Sequence, residues 1–428
     1  MTTTLPTRMT IAEALERLMK NGMPFGFHAY DGSSAGPVDA SFTVRLLNQR
    51  GLAYLLTAPG DLGFARAYVT GDLEVDGVSP GNPYDAMQFI LNNLDIRVPS
   101  PSELLRIVRS LGLNNLKPPE PPAEENIPKW RRTLEGLRHS KGRDAEAIHH
   151  HYDVSNRFYE YVLGPSMTYT CAVFPTQDAT LDEAQDEKHD LICRKLALKP
   201  GDRLLDVGCG WGGMVRHAAR HYGVHAIGVT LSQQQASWGA DAVKREGLDD
   251  RAEVRYGDYR DVVESDFDAI SSIGLTEHIG VKNYPAYFSF LADKLVDGGR
   301  LLNHCITRRD GSVGAKAGAF IDRYVFPDGE LAPVGTIASA VHDNGLEVRH
   351  VEDLREHYAL TLKSWCENLE ANWDACLDEV TLGRAKIWGV YMSGSRIAFE
   401  RNDIGLHHVL GVKVGADGNA HFPLRPDW

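Results

Sequence analysis

Apolar residues recur along this chain with two different periods, and the change from one to the other divides it. Near the start, Thr10 and Glu13 form a capping box, and Ile11, Leu15, Leu18 and Met19 then fall on one helical face. Strand-like runs are predicted at 27–31, 41–47 and 53–57, and helical runs at 84–94 and 102–113, which together describe a small α+β unit. After residue 144 short runs rich in Val, Ile and Leu alternate with helical patterns. Strands are predicted at 203–207, 225–230, 253–256, 267–273 and 300–306, with helices at 214–222, 233–246 and 284–295. Strands alternating with helices imply a doubly wound, mainly parallel sheet covered on both faces, the α/β class.

Between the two patterns lies Pro118-Pro119-Glu120-Pro121-Pro122-Ala123-Glu124-Glu125, whose four prolines cannot sustain a helix or a central strand. The expected organisation is an N-terminal α+β domain at 1–117, a linker with a basic segment at 118–143, and an α/β domain at 144–428. Lys129–Arg143 carries six basic side chains and one acid, with Trp130, Leu134 and Leu137 at near-helical spacing. Such a segment can rest on an anionic membrane surface, and it can equally be a linker helix packed on a neighbour. Nothing in the N-terminal domain assembles a catalytic set, so a lipid-facing, regulatory or dimerising role is expected of it.

At 428 residues, 43% hydrophobic and 24% charged, the chain has the composition of an ordinary globular protein. No apolar run is long enough to span a bilayer, and no secretory signal opens the sequence. A net charge of −13 argues against a nucleic-acid partner. The six cysteines, at 171, 193, 209, 305, 366 and 376, include no Cys-x-x-Cys pair, which suits a reduced, cytoplasmic setting without zinc. His149-His150-His151 has no partner ligand at helical spacing, and no metal site is expected there.

Candidate chemistry gathers where the predicted strands end, since open parallel sheets bind ligands beyond those ends. Leu204-Leu205-Asp206-Val207-Gly208-Cys209-Gly210-Trp211-Gly212-Gly213 carries the first strand into a turn that is half glycine. The spacing of Gly208, Gly210 and Gly212 is neither the dinucleotide fingerprint nor a P-loop. Asp-x-Gly-x-Gly is the first motif of S-adenosylmethionine (SAM) methyltransferases, with backbone N–H groups expected to lie against the ligand. A structural turn is the bland alternative. After the second strand, where an acid often holds ribose, the chain has Thr230, Leu231, Ser232 and Gln235 instead. Asp258 and Tyr259 follow the third strand, placed to bracket an adenine; a helix cap is the alternative for Asp258. Glu277 and His278 follow the fourth, where an acid beside a histidine can move protons. Cys171 has no activating base nearby in sequence and on its own reads as a small buried residue.

Together these residues resemble the cyclopropane-fatty-acid synthases and the related mycolic-acid cyclopropane synthases. The resemblance rests on His151–Asn156, Met167-Thr168-Tyr169-Thr170-Cys171, the glycine loop, Gly228–Ser232, Asp258–Asp261, Glu277–Gly280 and Tyr324–Pro327, and covers about residues 145–400. It implies a Rossmann-like methyltransferase domain in which Tyr169, Thr170, Asp206, Gly208, Gly210, Gly212, Thr230, Leu231, Ser232, Gln235, Asp258 and Tyr259 hold SAM. The activity implied is methyl transfer to the cis double bond of an unsaturated acyl chain of a membrane phospholipid. The resulting carbocation then loses a proton to give a cyclopropane, or a methylene precursor of a 10-methyl chain. The family's bound base, a bicarbonate ion, carries over onto Cys171, Glu277, His304, Ile306 through its backbone N–H, and Tyr358. Cys171 is expected there as an anion ligand, not as a nucleophile.

An aromatic wall is expected within 317–331, at Phe320, Tyr324 and Phe326, because a cation needs a dry, aromatic-lined channel; ordinary core packing is the alternative for each ring. The same reading expects a cytoplasmic enzyme peripheral to the inner face of the membrane, a homodimer as one arrangement, and a partner reductase if the product is a methylene lipid. Two rival functions are an N-methyltransferase of a small amine or lipid headgroup, and a lipid-binding protein without catalysis.

Overall fold

The computed structural model describes residues 9–125, 154–311, 318–326 and 329–428. Lys129–Arg143 and His149–His151 lie outside these. Two compact units emerge: one takes residues 1–128, 319–325 and 369–394, the other 129–318, 326–368 and 395–428.

The first unit opens with α1 (Ile11–Glu16), whose capping box forms as the sequence predicts: Glu13 N–H donates to the Thr10 hydroxyl and the Glu13 side chain accepts from Thr10 N–H. Its sheet comprises β1 (Gly26–Ala29), β2 (Ser34–Ala35), β3 (Thr43–Leu46) and β4 (Leu73–Asp76), in the order β2-β1-β3-β4. The expected strand at 53–57 is instead the second half of helix α2 (Gln49–Thr57). Asn48 caps that helix by accepting from Gly51 N–H at 3.0 Å, and a short apolar run has no period that separates helix from strand. Helices α3 (Asp61–Val69), α4 (Tyr84–Asn93) and α5 (Pro101–Leu111) complete the N-terminal part. The later segment adds α12 (Ala319–Tyr324), whose Phe320 and Tyr324 are buried in this unit. The end of the Pro-rich stretch is not merely extended. Glu125, its side chain fully buried, takes two hydrogen bonds of 2.6 Å from Arg66 and one from the Tyr324 hydroxyl at 3.1 Å.

The second unit is the α/β layer structure. It begins with α6 (Asn156–Leu163) and α7 (Leu181–Leu196). There follow β5 (Arg203–Val207), α8 (Gly213–Tyr222), β6 (His225–Thr230), α9 (Gln233–Arg245), β7 (Ala252–Tyr256) and β8 (Phe267–Ile273). The chain continues through α10 (Thr276–Ile279), α11 (Tyr284–Lys294), β9 (Leu295–Arg308), α13 (Val334–Asp343), β10 (Glu347–Asp353) and α14 (Arg355–Ala371) to β11 (Ile404–Val412). Its seven strands are ordered β10-β11-β9-β8-β5-β6-β7, parallel except where β11 lies antiparallel to β9 and β10. Leu204, Leu205 and Val207 of β5 have no solvent exposure, because apolar clusters cover both faces of the sheet. Successive strands run outward from β5 in both directions, so the connections diverge there and leave a crevice at its carboxyl end. The β10–β11 pair was not expected from the sequence. All six cysteines are free and buried.

Removing Glu125 leaves the largely buried Arg66 guanidinium without its carboxylate partner. Glu125→Ala is expected to destabilise the protein by about 3 kcal/mol in urea unfolding, and Arg66→Met with Glu125→Leu to recover much of that loss.

Candidate active site

The crevice beyond β5 opens into a cleft lined by Thr168, Tyr169, Thr170, Lys188, Asp206, Gly208, Gly210, Trp211, Gln235 and Gly274, among others. The glycines serve different ends. At Gly210, φ is +54° and a Cβ would meet nothing within 4 Å, so the space over it is open to a ligand. At Gly212, φ is +77° and a Cβ would stand 2.7 Å from Val254 Cγ2, so that glycine lets the start of α8 approach β7. The N–H groups of Gly208 and Cys209 do not face outward as expected. Both donate to the Val229 carbonyl, at 2.9 and 3.0 Å, because the turn must be fastened to β6 to hold its shape.

Asp206 accepts from the Ser271 hydroxyl at 2.7 Å, and burial pushes its carboxyl up to about 6. Thr230, Ser232 and Gln235 form a local set: the Thr230 hydroxyl donates to Gln235 Oε1 at 2.8 Å, and Ser232 caps α9 by accepting from Gln235 N–H at 3.3 Å. Leu231 lies between them, half-buried. Asp258 is a helix cap, accepting from Arg260 N–H at 2.9 Å, and its carboxylate also pairs with the Arg260 guanidinium at 2.5 Å. Tyr259 packs edge-on against Tyr287, with 5.2 Å between centroids.

The segment carrying Tyr169, Thr170 and Cys171 is held by α7, which the sequence reading passed over. Gln185 donates to the Thr170 carbonyl at 2.9 Å, and Lys188 donates to the Thr170 hydroxyl at 3.1 Å. Burial lowers the Lys188 ammonium to about 7. Four polar residues, Gln185, Lys188, His189 and Lys195, on the buried face of that helix were the available signal.

Of the residues carried over as base ligands, Glu277 and Ile306 are in direct contact. Glu277, on α10, accepts from Ile306 N–H at 2.6 Å through Oε1, while its buried Oε2 has no partner. Burial pushes its carboxyl up to about 7. His304, directly across from Ile273 at the end of the neighbouring strand, has Nδ1 2.8 Å from Nε2 of His408, and its buried Nε2 has no partner. Cys171 has no solvent exposure and its Sγ lies 3.9 Å from the Leu354 carbonyl, near the start of the helix that carries Tyr358. Burial holds the Cys171 thiol protonated, against any nucleophilic role. His278 stands edge-on to Phe326, 5.5 Å between centroids.

Within this unit aromatic rings follow one another away from the glycine loop. Trp211 meets Tyr159 at 4.8 Å, Tyr159 meets Tyr169 at 5.9 Å and Tyr169 meets Trp365 at 5.2 Å. Trp365 meets Tyr358 at 6.1 Å, and Tyr358 meets Phe399 at 4.5 Å. The rings expected at Phe320 and Tyr324 belong to the packing of the first unit.

A seven-stranded, mainly parallel sheet with a glycine turn and cleft at its switch point defines a SAM-dependent methyltransferase. The pattern of the mycolic acid cyclopropane synthetase family matches residues 139–409, and the chain belongs to that family. It is 58% identical over 422 residues to a "probable fatty acid methyltransferase" of Mycobacterium tuberculosis, covering 98% of this chain and 99% of that one. The mycolic acid cyclopropane synthase CmaA1, solved with SAH and CTAB, superposes with a TM-score of 0.58 at 31% identity, over 62% of this chain and 97% of that one. The cyclopropane synthase MmaA2 of Mycobacterium tuberculosis gives 0.57 at 29% identity, over 65% and 99%.

Two outcomes follow from this geometry. Gly210→Val fills the open space over the loop and should weaken SAM binding at least roughly tenfold by calorimetry, a loss of about 1.4 kcal/mol. Glu277 keeps its proton to about pH 7 when folded and releases it near 4.5 when unfolded. The folded state thus binds more protons between those values, and stability falls as pH rises through that window. Glu277→Gln lacks this loss. Its stability relative to the unsubstituted protein should rise by roughly 2–3 kcal/mol between pH 5 and pH 8, measured by urea unfolding.

Proposed function

We propose that the protein methylates a carbon of the cis double bond in an unsaturated phospholipid acyl chain, giving a cyclopropane or a methylene product. The observation that carries this reading is a pair of buried polar atoms without partners, Glu277 Oε2 on α10, just past the end of β8, and His304 Nε2 on the adjacent strand β9. Natural proteins rarely leave such atoms unmatched, and a small oxyanion that both accepts and donates hydrogen bonds fits this pair. Bound SAM supplies an electrophilic methyl group, and a bicarbonate held by Glu277, His304, the Ile306 N–H, Cys171 and Tyr358 supplies a base. Asp206, Tyr169, Thr170, Thr230, Leu231, Ser232, Gln235, Asp258, Tyr259 and the loop glycines are assigned to SAM.

The residues of this chain then divide the work. Ile306 N–H fixes one oxygen of Glu277 and leaves the other for the bound ion. Near neutral pH the Glu277 carboxyl can hold a proton, so it can donate as well as accept. Alkylation of an alkene leaves a positive charge on the acyl chain, and Tyr169, which lines the cleft and packs against buried Trp365, offers a water-poor aromatic surface that favours such charge. The name of the Mycobacterium relative and the CTAB in the CmaA1 complex both support a long-chain substrate. Among the described residues no helix is long and apolar enough to cross a membrane, so the substrate is expected to be met at the bilayer surface.

Expression in bacteria rich in monounsaturated phospholipids, followed by gas chromatography–mass spectrometry of the fatty acid esters, tests this. A product one CH2 heavier than the monoene is expected, and Glu277→Gln should lower its yield at least roughly a hundredfold, comparable to losing one preorganised hydrogen-bonding group in an active site. Resistance to mild hydrogenation marks the cyclopropane, and conversion to a methyl branch marks the methylene lipid. No heavier acyl species from a protein that binds SAM would overturn the proposal in favour of headgroup methylation.

A further inference from the structure

Behind His304 runs a line of buried polar groups that none of the roles above uses. His304 and His408 are cross-strand partners on β9 and β11, with Nδ1 of the first 2.8 Å from Nε2 of the second. His408 Nδ1 lies 2.9 Å from the ammonium of Lys195, in the last turn of α7. Lys195 in turn pairs with Glu352 on β10. Lys195 and His408 have no solvent exposure and His304 has 1%, whereas the Glu352 side chain is about one-third exposed.

Donor chemistry gives this line a direction. An ammonium paired with a carboxylate can only donate, so His408 Nδ1 must accept. A neutral imidazole that accepts at Nδ1 carries its hydrogen on Nε2, and His408 therefore donates to His304 Nδ1. His304 then bears its own hydrogen on Nε2, the atom that has no protein partner. Burial and the nearby lysine charges keep both rings neutral, so a single tautomer is at stake. A buried lysine is costly for stability, and a role in specifying one state explains its retention.

We infer that Lys195 and His408 are positioning residues that lock His304 in the Nε2–H tautomer, presenting a fixed hydrogen-bond donor to the anion bound at the catalytic base site. The inference rests on the proposed role of His304 at that site. Without the lock, His304 can place its hydrogen on Nδ1 and turn a lone pair toward the anion, which repels it. The arrangement parallels the second shell of metal sites, where the partner of one imidazole nitrogen decides what the other does.

The test uses the full chain labelled with 15N-histidine, with the His304 resonances assigned by their loss in His304→Gln. Long-range 15N–1H correlation is expected to show Nε2–H in the unsubstituted protein. His408→Leu should move the hydrogen toward Nδ1 and lower kcat on vesicles of monounsaturated phospholipid by roughly 10–100-fold, with KM for SAM unchanged. His408→Gln should restore both, because its amide oxygen accepts from Lys195 while its NH2 donates to His304. Lys195→Met should shift the tautomer in the same sense as His408→Leu, and it leaves Glu352 able to reach water. Thermal unfolding and SAM calorimetry establish that each variant is folded. An unchanged His304 tautomer in folded His408→Leu or Lys195→Met would overturn the inference, as would full kcat alongside a changed tautomer. If His304→Gln itself keeps full activity, it is the catalytic role of His304 that fails, whatever the tautomer does.

Discussion

The Glu277 carboxyl accepts a hydrogen bond from the backbone N–H of Ile306, and that contact joins the segment after β8 to the end of β9. Its second oxygen is sealed from water and unmatched, so the folded chain carries an unsatisfied carboxyl in its interior. Such a group is tolerated only where the surrounding packing leaves it no route to solvent. The covered sheet supplies that packing, with apolar clusters on both faces and buried side chains along β5, β8 and β9. The same exclusion of water raises the Asp206 carboxyl and lowers the Lys188 ammonium. One physical condition, low polarity at the carboxyl edge of the sheet, thus sets the protonation of the groups around the cleft.

Much of the second unit could be read from the sequence because its strands are short apolar runs bounded by turns. β5, β6 and β8 begin and end where their hydrophobic runs do. The glycine turn was readable because few other structures need that density of glycine after a strand. The pairing of β10 with β11 was not. β11 contains His407 and His408 in mid-strand, and a histidine buried by tertiary pairing looks in sequence like an exposed polar break. The N-terminal unit misled at 53–57 for the opposite reason, an apolar run too short to show a period.

The individual site residues divide along the same line. Asp206, late in its predicted strand, and Gly210 and Gln235, just after predicted strands, line the cleft. The link from Glu277 to Ile306 joins residues separated by 29 positions, and that from Lys195 to His408 spans 213, so neither has a local signature. Lys195 looks like a cation placed for the dipole at the end of a helix, and only its complete burial shows otherwise. Asp258 was open to two readings, and its hydrogen bond to the Arg260 N–H makes it a cap whatever else it does.

The cysteines carry a consequence of a different kind. All six are free thiols shut inside the protein, and burial holds those at 171, 193, 209, 305 and 376 firmly protonated. A thiol that neither ionises nor meets solvent is a poor partner for peroxide, glutathione or another disulfide. The native fold should be indifferent to the redox state around it, and a cell under oxidative stress would lose this activity by unfolding the protein rather than by titrating its sulfur.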